Sequence, residues 1–207
     1  MRVIAERDFI NRDDQTGPQP GDDGGQHVHG TLILSCIASY LPDQMVGGAY
    51  DVSVVLCKTE DVTSETPVEE DYYAAGIQFI ENHGGDVATS SLAYSDWYTY
   101  ANYDGRTAVT TIAVNAAAEN GVHCCTAGGN AGHDSNPATG SLAAPADGFK
   151  VLACGAVDAA GNIAGFSSDG PTADGRMKPE VLAQGVATAC VHPNTVDTYA
   201  TASGTSL

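Results

Sequence analysis

Three short segments carry side chains able to perform acyl chemistry: His29-Gly30-Thr31, Gly128-Gly129-Asn130 and Ser203-Gly204-Thr205-Ser206. A serine hydroxyl is a weak nucleophile until an imidazole takes its proton. The oxyanion formed after attack on a carbonyl needs fixed donors, often a backbone N–H and a side-chain amide. A serine at a helix start gains from the positive end of the helix dipole, and a preceding glycine lets another backbone approach closely. His29, Asn130 and Ser206 could therefore serve as base, oxyanion donor and nucleophile. Each segment alone is a weak signal, because such triplets arise often by chance.

Positioning these residues requires elements whose ends meet. Residues 30–41 carry a helical pattern of Leu, Ile and Ala, entered through His29-Gly30-Thr31. The β-branched run at 53–58 predicts a buried strand, and the spacing of Tyr73, Ile77 and Ile80 predicts an amphipathic helix over 69–83. A strand at 86–90 is followed by a tyrosine-rich loop over 94–103, a helix over 107–120 stopped by Gly121, and a strand over 122–126. Further strands are expected at 151–157 and 188–191, while residues 11–25 form an acidic, turn-rich loop. Alternation of strands with helices implies an α/β fold: a doubly wound, mainly parallel central sheet with helices on both faces. Such sheets place ligand sites at the carboxyl ends of their strands, where all three segments fall.

Composition narrows the partners. The 207 residues suffice for one domain, and acids outnumber bases 26 to 8 for a formal charge of -18. A surface that negative repels phosphate backbones and anionic lipids, so nucleic-acid and membrane partners are not expected. No run reaches the roughly 18 apolar residues of a membrane span, and the first residues lack the apolar stretch of a secretory signal. The six cysteines (36, 57, 124, 125, 154 and 190) lack paired metal-ligand spacing and are expected to be small buried hydrophobes, with one or two disulfides as the alternative. The run 127–132 lacks the lysine of a phosphate-binding loop, which argues against a nucleotide site.

Taken together and in order, the segments are specific. The chain resembles the subtilisin-like serine proteases, or subtilases. His29-Gly30-Thr31 resembles the family's histidine motif, Gly128-Gly129-Asn130 its Ala-Gly-Asn motif with one change, and Ser203-Gly204-Thr205-Ser206 its nucleophile motif. Between them, Phe166-Ser167-Ser168-Asp169-Gly170-Pro171 and Asp174-Gly175-Arg176-Met177-Lys178-Pro179-Glu180 belong to a long stretch similar to its most recognisable signature. The resemblance implies a serine endopeptidase that works through an acyl-enzyme on Ser206, with His29 as base and Asn130 in the oxyanion hole. It also implies that Ser91-Leu92-Ala93 pairs with the backbone of a peptide or protein substrate, and that Ala127-Gly128-Gly129 walls the pocket beside the cut. No cofactor is required; calcium is frequent in the family, but Asp13-Asp14 and Asp22-Asp23 fit no ligand register, so no metal is placed. An extracellular setting follows from family habit alone.

Departures shape the expectation as much. The family's catalytic Asp precedes the histidine in an Asp-Ser/Thr-Gly motif, which this sequence lacks. Asp8 is a poor substitute, because Phe9-Ile10 follows it, and Asp13, Asp14, Asp22 and Asp23 are poorer. The helix expected after the nucleophile is also missing. Residues 1–207 are therefore read as one incomplete peptidase catalytic domain, with 1–25 an acidic loop region and 26–207 carrying the core motifs. As given it is expected to be inactive; the alternative is a non-catalytic relative that binds peptides or proteins. The aromatic loop after Ala93, including Trp97, is either a rim for substrate side chains or a packed loop, and His27 is expected to face solvent.

Overall fold

The computed structural model describes residues 1–195 and 197–207. Along the chain run β1 (Arg2–Asp8), α1 (Val28–Ala38), β2 (Tyr40–Leu41), β3 (Met45–Val46), β4 (Ser53–Lys58), α2 (Val68–Asn82) and β5 (Val87–Ser90). They are followed by α3 (Val109–Glu119), β6 (His123–Ala127), β7 (Val151–Val157), β8 (Val181–Gln184), β9 (Thr188–Val191) and β10 (Tyr199–Ala202).

Local chemistry sets where helices hand over to strands. α3 ends with Gly121 at φ 101°, where its N–H reaches the Ala118 carbonyl at 3.2 Å and the Val122 N–H reaches Ala117 at 3.0 Å. α2 ends the same way, with Gly84 at φ 73° and the N–H groups of Gly84 and Gly85 on Glu81 and Ile80. Each closure satisfies carbonyls the helix would otherwise orphan and aims the chain into the next strand. At the other end of α2, Glu69, Glu70 and Asp71 occupy the first turn, where the helix dipole favours negative charge.

β5, β6, β7 and β8 form a four-stranded parallel sheet in that order, and β1 pairs in parallel with β4 as a separate two-stranded sheet. One face of the larger sheet presents Ala88, Cys124 and Val151 to Tyr73 and Ile77 of α2 and Val114 and Ala117 of α3, forming the main core. Burial of these aliphatic and aromatic groups supplies about 25 cal/mol per Å² of apolar surface. The opposite face presents Thr89, Cys125 and Cys154 to Ile33, Cys36 and Ile37 of α1 across a groove of about 200 Å³. Helices thus lie on both faces, as expected. α1 is held from behind by β9, where the Val191 N–H donates to Ser35 Oγ at 3.0 Å.

Several elements differ from expectation. α1 stops at Ala38 rather than residue 41, because Pro42 disfavours helical backbone at Leu41 and the chain turns back at once as the β2–β3 hairpin. Strand 188–191 does not join the parallel sheet; it pairs antiparallel with β10. Both β1 and β8 escaped the sequence pattern. β1 carries Glu6, Arg7 and Asp8, and β8 is a four-residue edge strand exposed at every position. All six cysteines are free thiols, and no helix among the described residues is long and apolar enough to cross a membrane.

Two polar groups, buried Thr126 and half-buried Glu60, bear on stability. Thr126 on β6 is 3% exposed, and its Oγ1 has no hydrogen-bond partner among the described residues. Thr126→Val keeps the shape and removes the orphan hydroxyl, so it should raise unfolding free energy by about 1 kcal/mol, read from the denaturant midpoint. An unchanged or lower midpoint would show the hydroxyl to be satisfied. Glu60, in the loop between β4 and α2, accepts from Tyr94 Oη at 2.5 Å and Thr59 Oγ1 at 3.1 Å. Burial pushes its pKa up to about 7, and nearby Glu69 and Glu65 add to the rise. An acid whose folded-state pKa lies above its unfolded value keeps its proton in the fold where the unfolded chain has lost it. Stability should therefore fall as pH rises from the ordinary carboxylate range to about 7. Calorimetry of Glu60→Gln between pH 5 and 8 (roughly the window set by that linkage) should show a shallower decline than wild type; equal slopes would exclude this group as the cause.

Candidate active site

Asn130 and Ser206 meet through Thr205. The turn after β10 delivers Thr205, 4% exposed, to the end of β6. Its N–H donates to Asn130 Oδ1 at 2.9 Å, and its hydroxyl lies 3.1 Å from the same oxygen. That hydroxyl also accepts the Gly129 N–H at 3.2 Å and lies 3.2 Å from the Gly129 carbonyl. With Asn130 Oδ1 engaged in this way, the Nδ2 protons remain for another acceptor, and the residue is solvent-exposed. Gly129 cannot be replaced cheaply: it sits at φ 112°, and a Cβ there would meet Ser168 Oγ at 2.8 Å.

Ser206 Oγ donates to the Ser91 carbonyl at 3.3 Å, and Ser91 Oγ donates back to the Ser206 carbonyl at 2.8 Å. This reciprocal pair latches the Ser206 turn to the segment leaving β5. Ser91, Ala127, Thr205 and Ser206 line the groove faced by α1. Leu92 turns inward against the main core, while Ala93 is exposed. Gly128 donates its N–H to the Cys154 carbonyl at 2.8 Å, which fixes the neighbouring wall.

His29 lies one turn before Ile33 on α1 and is exposed. The protein packed around the imidazole still desolvates its charged form and lowers its pKa below the ordinary histidine value; the exposure limits how far. Among the described residues His29 has no hydrogen-bond partner, so neither Ser206 nor a carboxylate is joined to it in this structure. His27 is half-buried, with Nε2 3.1 Å from Asn194 Oδ1.

Asp8 is structural. Its fully buried carboxylate accepts the Ile10 N–H at 2.8 Å, the Asn11 N–H at 2.9 Å and Asn11 Nδ2 at 3.1 Å, and pairs with Lys58 Nζ at 2.7 Å. Lys58 also bonds Asp22 at 2.8 Å. Burial alone would lower the Lys58 pKa, but the bonds to Asp22 and Asp8 override it and hold it above the ordinary value. Asp14 pairs with Arg7, Asp13 accepts from Gln15 and Gln19, and Asp23 caps the Gly25 N–H. A lysine ammonium therefore organises the acidic loop, and no three His, Cys, Asp or Glu side chains cluster as metal ligands among the described residues.

The aromatic loop is packed. Tyr94 is 3% exposed, Trp97 packs on the main core and Tyr98 on a second cluster around Tyr103 and Ala144. Sequence reasoning missed what holds it: buried Glu70 accepts from Trp97 Nε1 and Tyr98 Oη. It missed the Thr205 knot as well, since a threonine between glycine and serine carries no pattern of its own. Removing the loop's cation should be costly. Lys58→Met strands Asp8 in a dry site and should lower stability by about 3 kcal/mol at neutral pH, measured by denaturant unfolding; a loss below about 1 kcal/mol would mean that the pair is dispensable.

The model of the subtilase family matches residues 4–207. Serine protease AprX of Bacillus subtilis (strain 168) is 35% identical over 199 residues, covering 89% of this chain and 42% of that protein. Subtilisin DY of Bacillus licheniformis is 28% identical over 207 residues, covering 100% of this chain and 66% of that protein. The chain thus spans less than two thirds of the length of these relatives. The self-cleaved protease domain of PatA superposes with a TM-score of 0.70 at 24% identity, over 98% of this chain and 66% of that one, a likeness of fold. The chain belongs to the subtilase family of serine proteases.

Proposed function

We propose that this chain is the core of a subtilisin-type serine endopeptidase domain. The observation that carries the reading is the Asn130 amide, whose oxygen is taken by Thr205 so that its Nδ2 is left as a donor beside the Ser206 turn. In the proposed reaction Ser206 Oγ attacks the scissile carbonyl carbon while His29 takes the hydroxyl proton. The carbonyl π pair moves onto oxygen, where Asn130 Nδ2 stabilises it. Collapse of that intermediate expels the amine, which receives the proton from His29, and leaves an acyl-Ser206. Water, deprotonated by His29, then attacks the acyl carbon; collapse breaks the bond to Ser206 Oγ, which takes the proton back from His29, and releases the carboxylic acid. The substrate strand would run along Ser91-Leu92-Ala93, with the residue before the cut against Ala127-Gly128-Gly129.

This chemistry needs no cofactor, and the charge of -18 favours peptide or protein substrates over nucleic acid or anionic membrane. We place the protein outside the cell, on the strength of the family resemblance. With no carboxylate bonded to His29 among the described residues, the imidazole lacks a partner to set its tautomer and stabilise its charged form, a deficit of about 10,000-fold in serine proteases. The chain as given should therefore turn over little. The second reading, a peptide-binding relative without catalysis, is favoured by the bond from Ser206 Oγ to Ser91 rather than to an imidazole.

Labelling with a fluorophosphonate, followed by peptide mapping, separates the two. Slow labelling confined to Ser206 and abolished by Ser206→Ala is expected, with chromogenic ester hydrolysis near the buffer rate. Asn130→Leu should slow the labelling by about 100- to 1,000-fold, a range taken from subtilisin itself. No labelling of Ser206 would leave the binding reading; fast ester turnover lost in Ser206→Ala would overturn the expected inactivity.

A further inference from the structure

Glu70 is 2% exposed and makes no ion pair with any cation among the described residues. Its carboxylate is satisfied by neutral donors alone. Trp97 Nε1 reaches it at 2.6 Å, Tyr98 Oη at 2.8 Å, the Thr110 N–H at 3.3 Å and Thr110 Oγ1 at 3.4 Å. A buried charge without a counterion is tolerated only where donors converge on it, so each of these groups is held in place by it. Three elements are joined at this point: α2 supplies the acid, α3 an N–H of its first turn, and the aromatic loop two side-chain donors. Tyr98 Oη also accepts the Val109 N–H at 3.1 Å, which closes the network.

The loop so held is the continuation of the Ser91-Leu92-Ala93 segment. Tyr94 anchors its middle, with its ring edge-on to Tyr73 at 5.7 Å, its hydroxyl on Glu60 and its N–H on the Ala144 carbonyl at 2.8 Å. Ser91 and Ser206 bond each other at the near end. Between the Ser206 latch and the Glu70 clamp, Ala93 is the exposed residue of the Ser91-Leu92-Ala93 segment.

We propose that Glu70 is a positioning residue for substrate binding: it grips Trp97 and Tyr98 in the turn closed by the Tyr98 N–H on the Ser95 carbonyl at 3.1 Å, and that turn fixes the far end of the Ser91-Leu92-Ala93 path along which a peptide pairs. This rests on the substrate path proposed above. Glu70 touches no substrate, so its loss should weaken the binding of extended peptides far more than the reaction of Ser206 with a small reagent.

Trp97 is the only tryptophan, so its emission reports on the clamp directly. Glu70→Gln conserves volume but turns one acceptor oxygen into a donor facing Trp97 Nε1 or Tyr98 Oη. Trp97→Phe removes the other end of the same bond. Calorimetric titration with an acetylated alanine hexapeptide bearing a reduced central peptide bond should show about tenfold weaker binding in each variant, the loss of one charge-assisted bond. The double variant should be little weaker than either, because both substitutions break one contact. In Glu70→Gln, Trp97 emission should move to the red, and fluorophosphonate labelling of Ser206 should slow by less than about twofold.

Unchanged peptide affinity in Trp97→Phe overturns the proposal, even if Glu70→Gln fails to fold. So does an emission shift in Glu70→Gln without loss of affinity, or a parallel loss of affinity and labelling. Wild type that is labelled at Ser206 but binds no peptide overturns it while sparing the acyl-enzyme reading. Wild type that binds peptide without being labelled removes the catalytic reading and leaves this one standing on the variants.

Discussion

The knot between Thr205 and Asn130 is the constraint on which the site depends. One backbone N–H and one hydroxyl converge on a single amide oxygen, and the same hydroxyl bonds the Gly129 peptide. Sequence positions 75 residues apart are thereby fixed to within a hydrogen bond. The end of β6 determines where Asn130 stands, Asn130 determines where Thr205 stands, and Ser206 follows one residue later. The latch to Ser91 then ties this assembly to β5, the neighbour of β6 in the sheet. A parallel sheet whose adjacent strands end side by side is what allows these contacts.

The protein has few cations to spend inside. With 8 Lys and Arg against 26 Asp and Glu, its buried acids are mostly satisfied by neutral donors. Glu70 uses Trp97, Tyr98 and Thr110. Fully buried Asp147 accepts the Gly105 N–H at 2.8 Å and Thr111 Oγ1 at 2.5 Å, and its desolvation still raises its pKa. Asp8 alone among these has an ammonium, from Lys58. Carboxylates here act as internal acceptors that join elements, and the acidity of the chain is thus partly architectural rather than only a surface property.

The two faces of the larger sheet are filled unequally. Small residues such as Ala88 and Ala117 let α2 and α3 approach one face closely. On the other, α1 stands off across the groove that holds Ser206, its outer side carried by β9 instead. This arrangement keeps the first turn of α1, with His29, exposed, and leaves the carboxyl ends of β5 and β6 open to a ligand.

The local elements were legible because their signals are local. Gly121 marks the end of α3 through its positive φ, and the periodicity of Tyr73, Ile77 and Ile80 marks the core-facing side of α2. The order of His29, Asn130 and Ser206 pointed to the family for the same reason: each motif is contiguous in sequence. Tertiary structure alone decided that β9 pairs with β10, that Asp8 belongs to Lys58, and that Glu70 lies beneath the aromatic loop. The Asp8 and Glu70 contacts join charged and polar groups far apart in sequence, and β9 turns back onto the strand that follows it instead of entering the parallel sheet; in each case the partner is selected by distance in space. Hydrophobic period and turn chemistry are written into neighbouring residues; the acceptor that a buried donor finds depends on how every element packs.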